Sequence, residues 1–226
     1  MKKFSTLYVI LLLFLFGSCV EIIEDLTVNK DGSGSLKFTV NLSASATKLN
    51  GILALDSLNG KRVPSKQEIE EKINHYKLNL AQKEGIQKVL ATIDFETYIV
   101  KLIIDFEQLN SLQKAVLTLA EEEGVKDLEK WKNNEILSYS NRLFTKKALP
   151  FLEVASDKIK LEDKDKLKEG KYISILRFED EVVSVSHPKA KVSSNRKNVM
   201  IPFNPAALLR DPSTIFTRVK LKGDYK

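Results

Sequence analysis

The stretch EIIEDLTVNKDGSGSLKFTVNL, residues 21–42, predicts two strands joined by a tight turn. Apolar and polar residues alternate over residues 22–28 and again after the turn, as they do in half-buried strands. The apolar side chains of the second run share one face, and they are Leu36, Phe38, Val40 and Leu42. Between the runs, Gly32 and Gly34 are free to adopt the positive φ angles that hairpin turns require. The stretch therefore predicts a β-hairpin.

A calcium-binding loop is the alternative for the same turn, because oxygen-bearing side chains alternate at Asn29, Asp31 and Ser33. In such a loop the twelfth position carries a glutamate that binds the ion through both carboxylate oxygens. The twelfth position here is Val40. We therefore interpret the segment as a turn and predict no metal site in it.

The clearest helix signal lies further along the chain. Ser65 and Glu68 have the spacing of a capping box, in which each side chain satisfies a backbone amide of the other residue. One apolar stripe follows, formed by Ile69, Ile73, Tyr76 and Leu80. Gly85 is typical of the end of a helix. Residues 44–64, which precede this helix, predict a short helix or a loop.

Alternation returns after Gly85 and predicts a second hairpin of long strands, over residues 86–95 and 98–106. Asn110 can cap a further helix that ends at Gly124. The order of two strands, one helix, two strands and one helix is typical of an antiparallel sheet with helices on one face.

The C-terminal part of the chain predicts mostly strands, over residues 136–145, 172–178, 182–186, 199–203 and 215–221. The predicted fold class is α+β. It consists of a mainly antiparallel sheet with two or three helices packed on one face, plus a C-terminal β-rich part.

The predicted organisation has four segments. A signal peptide covers residues 1–18, the N-terminal part of an α+β domain covers residues 19–145, and a charged connector covers residues 146–170. The C-terminal β-rich part covers residues 171–226, and we expect it to belong to the same domain.

Phe16-Gly17-Ser18-Cys19 ends a short apolar run that begins behind two lysines. The run is too short to cross a membrane, which takes about 20 apolar residues. A charged start, an apolar middle and a small-residue cleavage site are typical of an export signal. Together they predict a bacterial lipoprotein signal, with the lipid attached to Cys19. The alternative is an ordinary secretory signal that contains a cysteine by chance.

Membrane lipid, held through acylated Cys19, is therefore the first expected partner. Val20 follows the cysteine where an aspartate often retains a lipoprotein at the inner membrane, so we expect the outer membrane instead. Because a strand is predicted to begin at Ile22, the lipid has almost no tether. We expect the domain to lie against the bilayer, at the sheet end that holds the start of the first strand.

Composition excludes several classes of site. Cys19 is the only cysteine, so its acylation would leave the folded part without a thiol for disulfides, metal binding or catalysis. The formal net charge is +6, and acidic and basic residues are interspersed. This pattern is typical of a solvated surface, and we predict no nucleic-acid partner.

No residue pattern predicts a reaction. His75 and His187 lie far apart in sequence and have no metal-ligand spacing, and His75 falls on the solvated side of the capped helix. Ser33 lies in a hairpin turn and not on the strand-to-helix elbow of a nucleophile. Trp131 lies between two lysines; we interpret it as a partly buried core residue, with a place at a membrane surface as the alternative. We therefore predict no enzyme activity, no cofactor and no metal.

Three features carry a resemblance to known proteins: Cys19, the strand end and turn over residues 28–34, and the stretch over residues 172–187 with Phe178 and a Val-Ser-Val-Ser run. On these features the chain resembles uncharacterised lipoproteins of Bacteroidota-type bacteria and, more distantly, the LppM-type lipoprotein domain. The resemblance implies an exported α+β lipoprotein of unknown activity. It supplies no catalytic residue.

The leading functional hypothesis is a membrane-anchored, non-catalytic binding or structural module of the cell envelope. Its further partner, a protein or an apolar ligand, is not identified by the sequence. The alternative is a carrier or sensor of a lipid or another apolar ligand, since an apolar segment over residues 49–58 lies next to the predicted sheet. An enzyme with a carboxylate site is the third class, and no motif selects it.

Overall fold

The computed structural model describes residues 20–58, 60–122, 128–132, 134–147 and 167–223. The signal peptide predicted over residues 1–18, the lipidation site Cys19 and most of the charged connector lie outside these ranges.

The elements alternate between strands and short helices. The strands are β1 (Glu21–Val28), β2 (Gly34–Asn41), β3 (Ser57–Leu58), β4 (Lys61–Arg62), β5 (Ile86–Asp94), β6 (Ile99–Phe106), β7 (Leu137–Ser140), β8 (Leu143–Lys146), β9 (Lys171–Phe178), β10 (Val182–Val185), β11 (Lys191–Val192), β12 (Asn198–Phe203) and β13 (Thr217–Leu221). The helices are α1 (Ala46–Leu53), α2 (Lys66–Ala81), α3 (Leu109–Glu122), α4 (Glu129–Lys132) and α5 (Pro205–Arg210), with 3-10 turns at Ser43–Ser45 and Pro212–Ile215.

A seven-stranded sheet forms the centre of the fold, in the order β11-β12-β9-β1-β2-β6-β5. Its neighbouring strands are antiparallel except for β1 and β9, which run parallel with Glu21 opposite Lys171. Both hairpins predicted from the sequence are confirmed, because β1 pairs with β2 and β5 pairs with β6. The predicted α+β class is confirmed as well.

A second, four-stranded sheet has the order β10-β13-β8-β7. Its strands share one apolar core with the main sheet and with helices α2 and α3. Within this core, the rings of Phe144 on β8 and Phe178 on β9 pack edge to face, with their centroids 5.5 Å apart. A second core cluster lies at the end of the main sheet where β1 begins, and it includes residues of α1 and α5. Burial in these two clusters is the main force that stabilises the fold.

The two faces of the main sheet differ in burial. We call the first the covered face; its most buried side chains are Glu24, Leu26, Val28, Val89, Ile104, Phe106, Tyr172, Ser174, Leu176, Phe178, Val199 and Ile201. We call the other the open face, and it carries the intervening positions of the same strands, such as Ile23, Lys37, Lys101, Ile175 and Met200. Among the described residues, no side chain on the open face is buried.

Three details differ from the sequence predictions. The strand predicted over residues 136–145 is a hairpin, β7 and β8, whose turn places Asn141 and Arg142 at φ angles of 48° and 61°. The helix predicted to begin after an Asn110 cap begins at Leu109. The strand predicted from Ile215 begins at Thr217, because Pro212 and the Asp211 cap form a 3-10 turn first.

Candidate functional site

The β1–β2 turn is held by its own side chains. The Asp31 carboxylate accepts hydrogen bonds from the Ser33 amide at 3.0 Å and from the Ser33 hydroxyl at 2.7 Å. These bonds hold the pKa of Asp31 below its usual value, the hydroxyl contributing most. Gly32 has a φ of 88°, which favours glycine. Ser33 therefore closes a turn, as the sequence predicted.

An open recess of about 300 Å³ lies between this turn and the β7–β8 turn. Asp180 stands at its side and pairs with Lys30 at 2.8 Å and with Arg142 at 3.3 Å. The Arg142 guanidinium also donates to the carbonyl oxygen of Lys222 at 2.8 Å. The pKa of Tyr139, in the same recess, is raised mainly by burial of its side chain and secondly by the negative charge of Asp180. The recess is thus lined by charged side chains that hold three loops together.

A second open recess, of about 530 Å³, follows the other side of the β1–β2 turn and is lined mainly by polar side chains such as Asn29, Lys37 and Asp105. Neither recess has the enclosed apolar lining that a carrier of an apolar ligand requires. Neither of these two recesses therefore suits the carrier alternative. The apolar segment on which that alternative was based instead places Leu49 in the core cluster at the end of the sheet.

The most unusual group of side chains is buried on the covered face. The Lys146 ammonium donates to the Glu24 carboxylate at 2.5 Å and to the Ser174 hydroxyl at 3.1 Å. The Tyr172 hydroxyl donates to the other oxygen of Glu24. Lys146 and Glu24 are only 1% and 4% exposed. The pKa of Tyr172 is raised well above its ordinary value, mainly by burial and secondly by the negative charge of Glu24. This phenol therefore stays neutral.

A serine beside a lysine is one known arrangement for an activated nucleophile. Here, however, the Lys146 ammonium is held by Glu24, and Ser174 is buried between the two sheets. A substrate has no route to that hydroxyl in this conformation. The cluster instead satisfies the buried polar groups of β1, β8 and β9, and so joins the two sheets.

This cluster was not predicted from the sequence, although a signal was present. Glu24 and Ser174 stand at positions of β1 and β9 whose neighbours two residues away are apolar and buried, as Leu26 and Leu176 show. A polar residue at such a position must find a partner inside the protein. Lys146 gave no comparable signal, because it begins a charge-dense stretch whose composition is typical of a solvated connector.

The other residues that the sequence offered for a functional site lie apart from one another in the structure. His75 is exposed on α2, with its Nε2 at 3.8 Å from Glu122. His187 packs its ring against Phe203 at 5.1 Å, and burial is the main cause that lowers its pKa. Trp131 packs against a small buried cluster near α3 and α4, in agreement with a core role. Within the described ranges, no three His, Cys, Asp or Glu residues are arranged to hold a metal ion.

The start of the described chain is itself part of the core. Val20 is 2% exposed and belongs to the core cluster at the end of the sheet. Its carbonyl oxygen accepts a hydrogen bond from the amide of Lys171 at 2.8 Å. The residue that follows Cys19 is therefore fixed by packing and by the backbone. No helix of the described part is both long and apolar enough to cross a bilayer.

Comparisons with known proteins identify no family. No protein-family model matches the chain, and no curated protein sequence matches it. The chain is similar to the NMR structure of the folded domain of the Mycobacterium tuberculosis LppM protein, with a TM-score of 0.42 and 11% sequence identity over 93% of this chain and 94% of that chain. A similarity at this level assigns neither a family nor an activity. The resemblance to Bacteroidota-type lipoproteins stays a prediction.

Proposed function

We propose that this protein is a lipid-anchored lipoprotein of the bacterial cell envelope, and that its domain acts at the membrane surface as a non-catalytic binding module. The observation that carries the proposal is the burial of Val20, immediately after the predicted acylation site. A lipid on Cys19 would leave the domain without any flexible segment.

The length of the tether follows from chain geometry. Consecutive Cα atoms are about 3.8 Å apart, so Cys19 lies one such step from a residue that is packed in the core. The domain therefore cannot reach away from the bilayer that holds its lipid. This geometry suits a protein that binds at the membrane surface, and it does not suit one that contacts distant partners through a long linker.

The proposal extends to the location and to the relatives of the protein. Val20, not an aspartate, follows the cysteine, which favours the outer membrane. The Phe16-Gly17-Ser18-Cys19 motif and the β1–β2 turn favour membership of the uncharacterised Bacteroidota-type lipoproteins. The expected partners are membrane lipid through Cys19 and a protein or ligand at an exposed surface.

The experiment is expression of the full chain in a bacterial host and partition of the extract between a detergent phase and an aqueous phase. We expect the wild-type protein in the detergent phase and Cys19→Ala in the aqueous phase or unprocessed in the membrane. Several acyl chains are needed, since one chain anchors a protein only marginally. Mass spectrometry of the N-terminal peptide tests independently whether Cys19 carries the lipid.

The matched control is Ser18→Ala, which keeps a small residue before the cysteine and should be processed and partition like the wild type. Wild-type protein found wholly in the aqueous phase, with an unmodified Cys19, contradicts the proposal.

A further inference from the structure

The open face of the main sheet carries its apolar side chains in two groups, a smaller one on β5 and β6 (Leu90, Ile99 and Ile103) and a larger one towards the opposite edge of the sheet. Five of them are neighbours on β1, β9 and β12, and we call them the apolar patch: Ile23, Ile173, Ile175, Met200 and Pro202. In the strand register, Ile173 lies between Ile23 and Pro202, and Ile175 lies next to Met200. Contiguous apolar side chains on an exposed surface are typical of an interaction site.

Exposed lysines accompany the apolar patch on the same face. They are Lys37, Lys88, Lys101, Lys171 and Lys191. The acidic side chains of this face are partly neutralised by local bonds. Asp25 accepts two hydrogen bonds from Arg177, at 2.7 and 2.9 Å, and Asp94 accepts from the backbone amides of Glu96 and Thr97. Glu21 and Asp105 are half-buried, whereas the lysines extend into solvent.

The distance to the predicted anchor is short. Ile23 follows Cys19 by four residues, so covalent geometry alone keeps its Cα within about 14 Å of the acylated residue. Ile173 is the register partner of Ile23 on the adjacent strand, which lies about 4.8 Å to the side of β1. The apolar patch therefore begins within reach of the bilayer that the anchor would enter.

We infer that the open face, with the apolar patch on its β12, β9 and β1 strands, is the surface by which the domain lies on a lipid bilayer. This inference rests on the lipid anchor of the proposed function and adds the orientation of the domain. The apolar patch would enter the boundary between headgroups and acyl chains, as the apolar side of interfacial proteins does. The lysines would reach anionic headgroups, since their long stems let the charges stay at the polar level.

The other surface near the anchor is the sheet end where β1 begins, which is the membrane-facing end predicted from the sequence. Most apolar side chains at that end are buried in their own core cluster, among them Leu42, Leu49 and Tyr98. Leu55 is the large apolar side chain exposed after α1. The open face thus offers the larger continuous apolar surface.

The test uses nitroxide labels on single introduced cysteines in the full, lipidated chain. Acylation blocks the one native cysteine, so each label goes to the introduced position. Met200→Cys, at a position 37% exposed, probes the apolar patch, and Lys191→Cys, its register partner, is a second probe if the first variant misfolds. Leu78→Cys, at a position 62% exposed on α2, is the solvent control, and Leu55→Cys probes the sheet end.

The proteins are reconstituted into vesicles of phosphatidylethanolamine and phosphatidylglycerol, and collisions with a water-soluble nickel complex and with oxygen are measured by EPR. We expect the label at position 200 to collide with the nickel complex several-fold less often than the label at position 78. We expect it to collide with oxygen more often than the label at position 78. Replacing the anionic lipid with phosphatidylcholine, or adding salt, should weaken the protection at position 191.

Three results overturn the inference. Protection at position 55 with free access at position 200 shows that the sheet end faces the bilayer. Free access at all positions shows that the domain stands clear of it. Dipolar broadening between labels at position 200 shows that a second copy covers the face. Each of these leaves the anchor intact, whereas label uptake by the wild-type chain shows a free Cys19 and contradicts the proposed function itself.

Discussion

Lys146 shows how a single charged side chain can be retained in the core of this protein. Its ammonium is nearly fully buried and is satisfied by Glu24 and Ser174, and Glu24 in turn accepts a bond from Tyr172. A buried ion pair of this kind need not add net stability, since the loss of hydration opposes the attraction. We expect it to specify which strands meet, because these bonds form only when β1, β8 and β9 come together.

Removal of one partner should therefore cost much more than removal of both charges. We expect Lys146→Met to lower the free energy of unfolding by about 3–5 kcal/mol, because it leaves the Glu24 carboxylate buried without a cation. The double variant Glu24→Gln/Lys146→Met should recover part of this loss, since the glutamine oxygen still accepts from Tyr172. Urea denaturation measures both. A single variant as stable as the wild type would contradict the buried pair.

Gly34 is required by close packing and not by its φ angle. A Cβ atom at this position would lie 2.0 Å from the carbonyl oxygen of Thr27 and 2.8 Å from the ring of Phe106. Backbone and a core ring cannot move away cheaply, so we expect Gly34→Ala to destabilise the protein by about 1–3 kcal/mol.

The control for Gly34→Ala is Gly51→Ala on α1, where an added Cβ meets nothing within 4 Å. It should leave the melting temperature unchanged or raise it, because alanine is the better helix former. Equal melting temperatures for the two variants would show that the β1–β2 turn is not packed as described.

At the scale of elements, α2 is the helix whose start is best defined. The Glu68 amide donates to the Ser65 hydroxyl at 3.2 Å, and the Ser65 amide donates to the Glu68 carboxylate at 2.8 Å, which completes the predicted capping box. Arg62 adds two hydrogen bonds to the same carboxylate, and they are the main cause that lowers the pKa of Glu68 to about 2. The helix start thus ties the β3–β4 hairpin to α2.

We expect Ser65→Ala to cost about 1 kcal/mol, because the amide of Glu68 then loses its acceptor. Ser65→Asp is the control, since a carboxylate caps a helix about as well as a hydroxyl. Thermal unfolding followed by circular dichroism compares the two. If Ser65→Asp loses as much stability as Ser65→Ala, the capping box does not contribute.

At the scale of the whole molecule, the described chain crosses between the seven-stranded and the four-stranded sheet, and strands from its N-terminal and C-terminal parts meet in one core. β9 comes from the C-terminal part and pairs with β1 in the middle of the main sheet, while β13 pairs with β8 in the smaller sheet. The apolar cluster between the sheets contains residues from β1, α3, β8 and β13. The N-terminal and C-terminal parts therefore share their core.

Shared burial predicts one cooperative unfolding transition. The fluorescence of Trp131 monitors unfolding of the small cluster beside α3. Far-UV circular dichroism monitors unfolding of the sheets and helices together. We expect the two signals to give the same midpoint and slope in urea. A separate, earlier transition in Trp131 fluorescence would show that this cluster unfolds independently of the main core.

Local patterns were sufficient for the parts of this protein that depend on neighbours in sequence. The period-two alternation of residues 21–42 predicted β1, β2 and their turn, and the Ser65 and Glu68 spacing predicted the start of α2, because hairpins and caps are made by residues close along the chain. The Phe16-Gly17-Ser18-Cys19 motif predicts the anchor in the same local way, and it awaits the partition experiment.

Pairings between distant residues were settled only by the tertiary structure. Nothing in the alternation of residues 172–178 shows that β9 runs parallel to β1, because a strand pattern defines faces and not partners. The same holds for Lys146, whose charged neighbours in sequence hid its burial against Glu24. Which side of the main sheet stays open depends on where both sheets and all helices pack, so the open face became visible only in the folded chain.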